Sequence, residues 1–229
     1  AADWQGPIKI DGQCYNFDMD KIVFEAGNYM CGFVGQISDN KQEKDEQFIS
    51  DFKKSVDLII YRGPNSDGYF HDEYCSLGFR RLSIIDVEGG TQPMHYDNGR
   101  YTLVFNGEIY NYLEIREDLE KEGYKFETNS DSEVLLVSYI AYGRECVKKF
   151  RGMFGFLIYD NKEKTIFGAR DPFGIKPMYY SEKDGVTYFA SEKKSILELT
   201  KINEINKTAL QYYFDFRFIP LNILVIVLH

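Results

Sequence analysis

From residue 31 to about residue 200, turn-forming residues cut the chain into short apolar segments of two alternating periodicities. Cys31 to Ile37, Tyr74 to Phe79, Leu82 to Val87, Tyr101 to Phe105, Gly155 to Tyr159, Thr165 to Ala169 and Val186 to Ala190 are strand-like: brief, apolar and rich in β-branched and aromatic residues. Glu43 to Tyr61 instead sets Phe48, Phe52, Val56, Ile59 and Ile60 at helical spacing and stops at Gly63-Pro64. Further helices are expected at Tyr112 to Glu122, closed by Gly123, and from Ser130 to Tyr142, where Ser130 and Glu133 form a capping-box pattern. Two more are expected near Glu192 to Leu199 and Lys207 to Phe214. Asp97-Asn98-Gly99-Arg100 and Asp160-Asn161 stand where hairpin turns are needed. Short strands joined by hairpins, with helices inserted in pairs, give antiparallel sheets covered by helices, an α+β arrangement.

The 229 residues suit one compact domain with appendages, and 44% hydrophobic with 16% aromatic content is enough packing material to exclude disorder. A formal net charge of −9 argues against a nucleic-acid surface, which needs clustered Lys and Arg. Cys14, Cys31, Cys75 and Cys146 are far apart, so neither zinc-ligand spacing nor a dense disulfide framework is present. A reducing, cytoplasmic compartment is therefore expected. Leu221 to Leu228 is apolar but too short to cross a bilayer, and Ala1 to Tyr29 lacks the basic and apolar regions of a secretory signal, so no membrane partner is expected. Neither Gly-rich nucleotide fingerprint occurs.

The chain has three histidines, His71, His95 and His229, none in a setting that marks it as a catalytic base. A cysteine can do without histidine when it is the first residue of the mature chain, because its own α-amine titrates near neutral pH, at about 7.7–8.0. Met30-Cys31-Gly32 has that form. Taken alone, it is weak evidence, and the plainer reading is a buried free cysteine in a strand. Asn106-Gly107-Glu108, directly after the strand Tyr101 to Phe105, offers a side-chain amide beside a glycine N–H, two neutral donors such as an oxyanion hole needs. A plain Asn-Gly turn is the alternative. Arg81 has the fork to hold a carboxylate, or is an exposed strand arginine. Asp131 is placed to receive an ammonium, or simply favours a helix's first turn.

Eight pieces occur in order: Cys31-Gly32-Phe33-Val34-Gly35, Tyr61-Arg62-Gly63-Pro64-Asn65-Ser66-Asp67-Gly68, the segment around Arg81, Gln92-Pro93-Met94, Asn106-Gly107-Glu108-Ile109-Tyr110-Asn111, Ser130-Asp131, Arg151-Gly152-Met153-Phe154 and Ala169-Arg170-Asp171-Pro172-Phe173-Gly174-Ile175-Lys176-Pro177. Together they resemble the glutaminase domain of glutamine-hydrolysing asparagine synthetases, class II glutamine amidotransferases of the N-terminal-nucleophile hydrolase type, over residues 30 to about 220. The resemblance implies a four-layer αββα sandwich with two antiparallel sheets. It implies Cys31 as nucleophile, Asn106 and Gly107 as the oxyanion hole, Arg81 on the glutamine α-carboxylate and Asp131 on its α-amine. Glu108 and the backbone of Leu82, Ser83, Ile84 and Ile85 would line the same pocket. Arg170 to Gly174 is expected to be structural. Glutamine is the implied small-molecule partner, and a homodimer is consistent with it. No metal or other cofactor is expected for glutamine hydrolysis. ATP and Mg²⁺ are expected only for the synthetase domain that family members add.

Two departures shape the expectations. Residues 1–30 precede the nucleophile and are expected to be a leader or a non-native extension; while attached, they replace the Cys31 amine by an amide. Residues 31–220 form the amidotransferase domain, and 221–229 are an apolar tail in which the resemblance fades, as in a fragment or a shifted reading frame. No Ser-Gly-Gly-Leu-Asp-Ser-like pyrophosphate loop is present. The alternatives are the glutaminase domain of a sugar-phosphate or phosphoribosyl amidotransferase, or a non-catalytic relative in which Cys31 stays blocked.

Overall fold

A computed structural model describes residues 8–10, 13–15, 31–82 and 91–202. Two three-residue strands, β1 (Ile8–Ile10) and β2 (Gln13–Tyr15), pair with each other. Among the described residues, all other strands build two antiparallel sheets. The first has the order β10-β11-β3-β5-β4, from β3 (Gly32–Ser38), β4 (Ser66–His71), β5 (Cys75–Arg81), β10 (Tyr179–Lys183) and β11 (Val186–Ala190). The second has the order β6-β7-β8-β9, from β6 (Met94–Tyr96), β7 (Tyr101–Ile109), β8 (Gly152–Asp160) and β9 (Thr165–Arg170).

Three apolar clusters separate four layers. Phe33, Leu77, Phe79 and Phe189 of the first sheet meet Val104, Leu157, Tyr159 and Ile166 of the second. On the outside of the first sheet, Val34 and Ala190 pack against Phe52 and Val56 of α1 (Glu46–Asp57) and Ile196 of α4 (Lys193–Thr200). On the outside of the second, Leu103, Phe105, Phe156 and Ile158 pack against α2 (Tyr112–Lys121) and α3 (Asp131–Tyr142). The fold is the expected αββα sandwich. Its logic is the period of two: Phe33 and Val34, or Leu103 and Val104, point to opposite faces, and both faces are covered. That is why these strands read as unbroken apolar runs. Helix α3 has Val134, Leu135, Leu136 and Val137 all buried, so it sits inside apolar contacts on every side.

Several boundaries differ from the sequence expectation. The first helix covers only Glu46–Asp57: the Asp45 carboxylate accepts the Phe48 N–H at 2.7 Å and so starts it, and residues 58–62 are turns. The capping box at α3 is half formed. Ser130 Oγ accepts the Glu133 N–H at 3.3 Å, but the Glu133 carboxylate turns away to accept the N–H groups of Glu127 and Thr128 at 2.8 and 2.6 Å. The Asn98-Gly99 hairpin forms as a four-residue turn, 97–100, in which Asp97, Asn98 and Gly99 all have positive φ. Strand β7 does not stop at Phe105 but continues to Ile109, so Asn106-Gly107-Glu108 is not a turn: it pairs with Gly155, Phe154 and Met153 of β8. Strands β4, β6 and β10 were not expected. The strand expected at Leu82 to Val87 is not seen at Leu82, which lies just past the end of β5; Ser83 to Val87, and the helix expected at Lys207 to Phe214, lie outside the described residues.

Candidate active site

Cys31 stands just before β3, in the same alternation as Phe33, and packs against the inter-sheet cluster. Asn106 stands two residues after Val104, which belongs to that cluster too, so the amide and the thiol face the same layer. The Cys31 Sγ lies at the end of β5, where it accepts the Leu82 N–H at 3.4 Å and is 3.8 Å from the Leu82 carbonyl oxygen, to which it donates. Burial pushes the thiol above its ordinary range; the Leu82 N–H and the positive charges of Arg81 and Lys176 pull it back.

The start of β3 is clamped. Arg62 donates from Nε to the Cys31 carbonyl at 3.3 Å and from Nη1 to Glu192 at 2.9 Å. Ser191 takes up both backbone groups of Phe33: its Oγ accepts the N–H at 3.0 Å and its own N–H donates to the carbonyl at 2.9 Å. Among the described residues, the hydrogen bonds of the Cys31 sulfur both go to the Leu82 backbone.

Asn106 is 2% exposed, and its Nδ2 has no hydrogen-bond acceptor among the described residues. An unsatisfied buried amide costs about 1–3 kcal/mol. Gly107 next to it has no room for a side chain: a Cβ there would sit 2.2 Å from the Met153 carbonyl oxygen and 2.7 Å from the Phe154 Cα. Behind the strand, Gln92 accepts the Phe105 N–H at 2.6 Å and returns a bond to the Phe105 carbonyl at 3.1 Å, holding the residue before Asn106 on both sides.

Asp131, at the start of α3, accepts the Ile109 N–H at 3.0 Å. Its carboxyl is raised above the usual range by burial and, less strongly, by the charge of nearby Glu108, against the pull of the Ile109 N–H. Arg81 is half-buried at the end of β5, opposite Ser66. Glu108 is exposed. The thiol, Leu82 and Arg81 are thus brought together at one end of the molecule, and Asn106, Gly107, Glu108 and Asp131 form a second group on β7 and α3. Ser83, Ile84 and Ile85 lie outside the described residues.

Lys176 is only 5% exposed. Burial and, less strongly, the charge of Arg62 push its amine below the ordinary range, against the opposing pull of Cys31, Asp171 and Glu108. Neither Lys176 nor Arg62 stood out in the sequence, where a lysine beside Pro and Gly reads as a solvated loop. The loop itself is braced as expected of a structural segment: the Asp171 carboxylate accepts the N–H groups of Ile175 and Lys176, each at 2.9 Å, and Arg170 donates to the Lys176 carbonyl at 2.6 Å. The histidines lie elsewhere. His71 packs on Phe48, Phe52 and Tyr69 at the opposite end of β4, and His95 bonds Thr102 at 3.1 Å. His229 is outside the described residues. Among the described residues no cluster of His, Cys, Asp and Glu is arranged to hold a metal, and no helix is long and apolar enough to cross a membrane.

A family model described as a glutamine amidotransferase domain matches residues 30–227. Asparagine synthetase [glutamine-hydrolyzing] 1 of Bacillus subtilis is 52% identical over 193 residues, covering 83% of this chain and 30% of the relative. A putative asparagine synthetase [glutamine-hydrolyzing] 2 of Methanocaldococcus jannaschii is 39% identical over 213 residues, covering 83% of this chain and 40% of the relative. The chain therefore spans about a third of the length of the curated relatives it matches. Among solved structures, the glutamine phosphoribosylpyrophosphate amidotransferase of B. subtilis, in complex with ADP and GMP, shares the fold with a TM-score of 0.56 at 20% identity, over 72% of this chain and 43% of that one.

Proposed function

Because the chain belongs to the glutamine amidotransferase family, as the amidotransferase part of the asparagine synthetase group, we propose that it hydrolyses glutamine to glutamate and ammonia with Cys31 as the nucleophile. The observation that carries this reading is the Asn106 Nδ2, which has no acceptor among the described residues and is buried on the inter-sheet layer that Cys31 borders. In this account the sulfur attacks the side-chain carbonyl carbon of glutamine, a C–S bond forms and the carbonyl π pair moves to oxygen. Asn106 Nδ2 and the Gly107 N–H donate to that oxyanion. The tetrahedral intermediate collapses, the C–N bond breaks and ammonia leaves with the proton taken from the thiol. Water then cleaves the thioester and restores the thiol. The base is the Cys31 α-amine, which exists only where the chain begins at that residue. Arg81 grips the α-carboxylate and Asp131 the α-ammonium, with Glu108 and the backbone of Leu82 to Ile85 around them.

The hydrolytic step needs no metal. In the longer protein the ammonia would serve ATP- and Mg²⁺-dependent synthesis of asparagine, and the family setting suits a cytoplasmic enzyme that can pair with a second copy.

The test is glutamate release by the 229-residue chain and by a form beginning at Cys31. Activity is expected in the trimmed form and is lost in Cys31→Ala. Release that survives Cys31→Ala would reject the mechanism.

A further inference from the structure

The edge of β7 that faces β6 loses its strand partner partway along. Strand β6 pairs with β7 only as far as Leu103, opposite Met94, whereas β7 runs on to Ile109. On its other side the register with β8 is unbroken from Tyr101–Asp160 to Ile109–Gly152, so no bulge interrupts the alternation of the β7 backbone groups. The N–H and C=O of Phe105 both point to the β6 side, where the Gln92 side chain takes them, at 2.6 and 3.1 Å. Two pairs further on, the Ile109 N–H faces the same edge and is taken by the Asp131 carboxylate at 3.0 Å. The next N–H, of Tyr110, goes the opposite way, to the Arg151 carbonyl at 2.7 Å. By the same alternation the Gly107 N–H, midway between Phe105 and Ile109, faces the edge that β6 has left.

The Asn106 side chain follows Val104 onto the inter-sheet face. Its amide and the Gly107 N–H therefore meet at the corner between that face and the β7 edge. An edge without a neighbour is free to twist. Gln92 removes that freedom at the residue directly before Asn106. Its primary amide offers one acceptor and a donor, as a peptide unit does, so the side chain stands in for the strand residue that β6 lacks there. Gln92 is itself fixed. It is 8% exposed, and its carbonyl oxygen lies against Gly68 of β4, where a Cβ would have no room. Its backbone thus rests on the first sheet while its side chain completes the edge of the second.

We propose that Gln92 is a positioning residue of the oxyanion hole: by bonding Phe105 on both backbone groups it fixes where the Asn106 amide and the Gly107 N–H stand, and so acts on the chemical step and not on glutamine binding. This rests on the reading of Asn106 and Gly107 as the oxyanion donors.

The test is a double-mutant cycle in the form beginning at Cys31: the parent, Gln92→Met, Asn106→Ala and the pair, each measured for kcat and KM of glutamate release and for melting temperature. Gln92→Met keeps the bulk and loses both polar groups. It is expected to lower kcat about 10²-fold, the usual effect of a small misplacement, with KM within about twofold of the parent. In the Asn106→Ala background the same change should cost less than about tenfold, because one of the two donors it positions is already gone. Gln92→Asn keeps the amide but draws it back by one methylene; it should show the same loss of kcat, and it reports the effect should the Met variant lose its fold by circular dichroism. Unchanged kcat in the folded Gln92 variants overturns the proposal. So does a loss that falls on KM, or one of equal factor with and without Asn106; either would make Gln92 a cap for the β7 edge and nothing more. In those cases a normal effect of Asn106→Ala leaves the oxyanion-hole reading standing. A parent that releases no glutamate, or an Asn106→Ala variant with parental kcat, sinks that reading and the proposal with it.

Discussion

The middle of the inter-sheet layer and its Cys31 end are built from opposite materials. In the middle, Phe33, Leu77, Phe79, Val104, Leu157 and Phe189 fill the space with almost no polar atoms. Around that end, Asn106, Asp171, Lys176 and Ser191 are all buried, and so is Arg62 on the helix-covered side of β3. Burying polar groups costs free energy unless each is partnered. Most here are: Ser191 by Phe33, and Asp171 by the loop it organises. The Asn106 Nδ2 and the Arg62 Nη2 are not, among the described residues. One region is shaped by stability alone, whereas the other keeps groups that stability does not explain.

Substitutions should therefore separate cleanly between the two. Cys31→Ala is expected to abolish glutamate release while leaving the melting temperature nearly unchanged, since the half-buried sulfur contributes little packing. Asn106→Ala should lower the rate by about 10²–10³, the usual effect of losing one oxyanion donor, and should not lower stability much, because the amide removed is unsatisfied. Leu157→Ala should do the reverse. Leu157 fills the space over two glycines, Gly35 and Gly168, which have no side chains to collapse into the hole, so a loss of about 2–5 kcal/mol in urea unfolding is expected with near-normal turnover of what stays folded. A Leu157 variant that folds normally yet fails to turn over would break the distinction.

The smallest effect is a pH dependence. Ionising Asp131 is harder in the folded protein than in the unfolded chain. The folded state is thus relatively favoured at low pH and loses that advantage as pH rises through the raised carboxyl titration. Asp131→Asn keeps an acceptor for the Ile109 N–H and removes the charge. It should flatten this part of the stability–pH curve and raise the melting temperature at pH 7 by no more than about 2–4 °C. It should also raise the KM for glutamine. A lowered melting temperature together with an unchanged KM would make Asp131 a helix-capping residue and nothing more.

What the sequence disclosed divides along the same line. Strands β3, β7, β8 and β9 are legible because both of their faces are covered, so each reads as an apolar run between turn residues. Strands β4 and β10 were missed because they lie at sheet edges, half-exposed, with polar residues such as Ser66, Asp67, Ser181 and Glu182. Asn106 and Gly107 were legible as a motif but placed after the strand instead of inside it: no local signal carries a strand through Asn-Gly, and here a distant residue, Gln92, holds the backbone just before it. Arg62 and Lys176 were invisible as site residues, since their burial follows from the approach of elements far apart in sequence, Glu192 to Arg62 and Asp171 to β8.

The most direct test of the central claim is covalent trapping. The form beginning at Cys31 is incubated with a glutamine-shaped chloroketone, with and without excess glutamine, and digested for peptide mass spectrometry. The account predicts a single adduct on Cys31, suppressed by glutamine, and none on the buried Cys75 or Cys146. Labelling of Cys31 that glutamine does not suppress would contradict the assignment of glutamine to this end of the molecule.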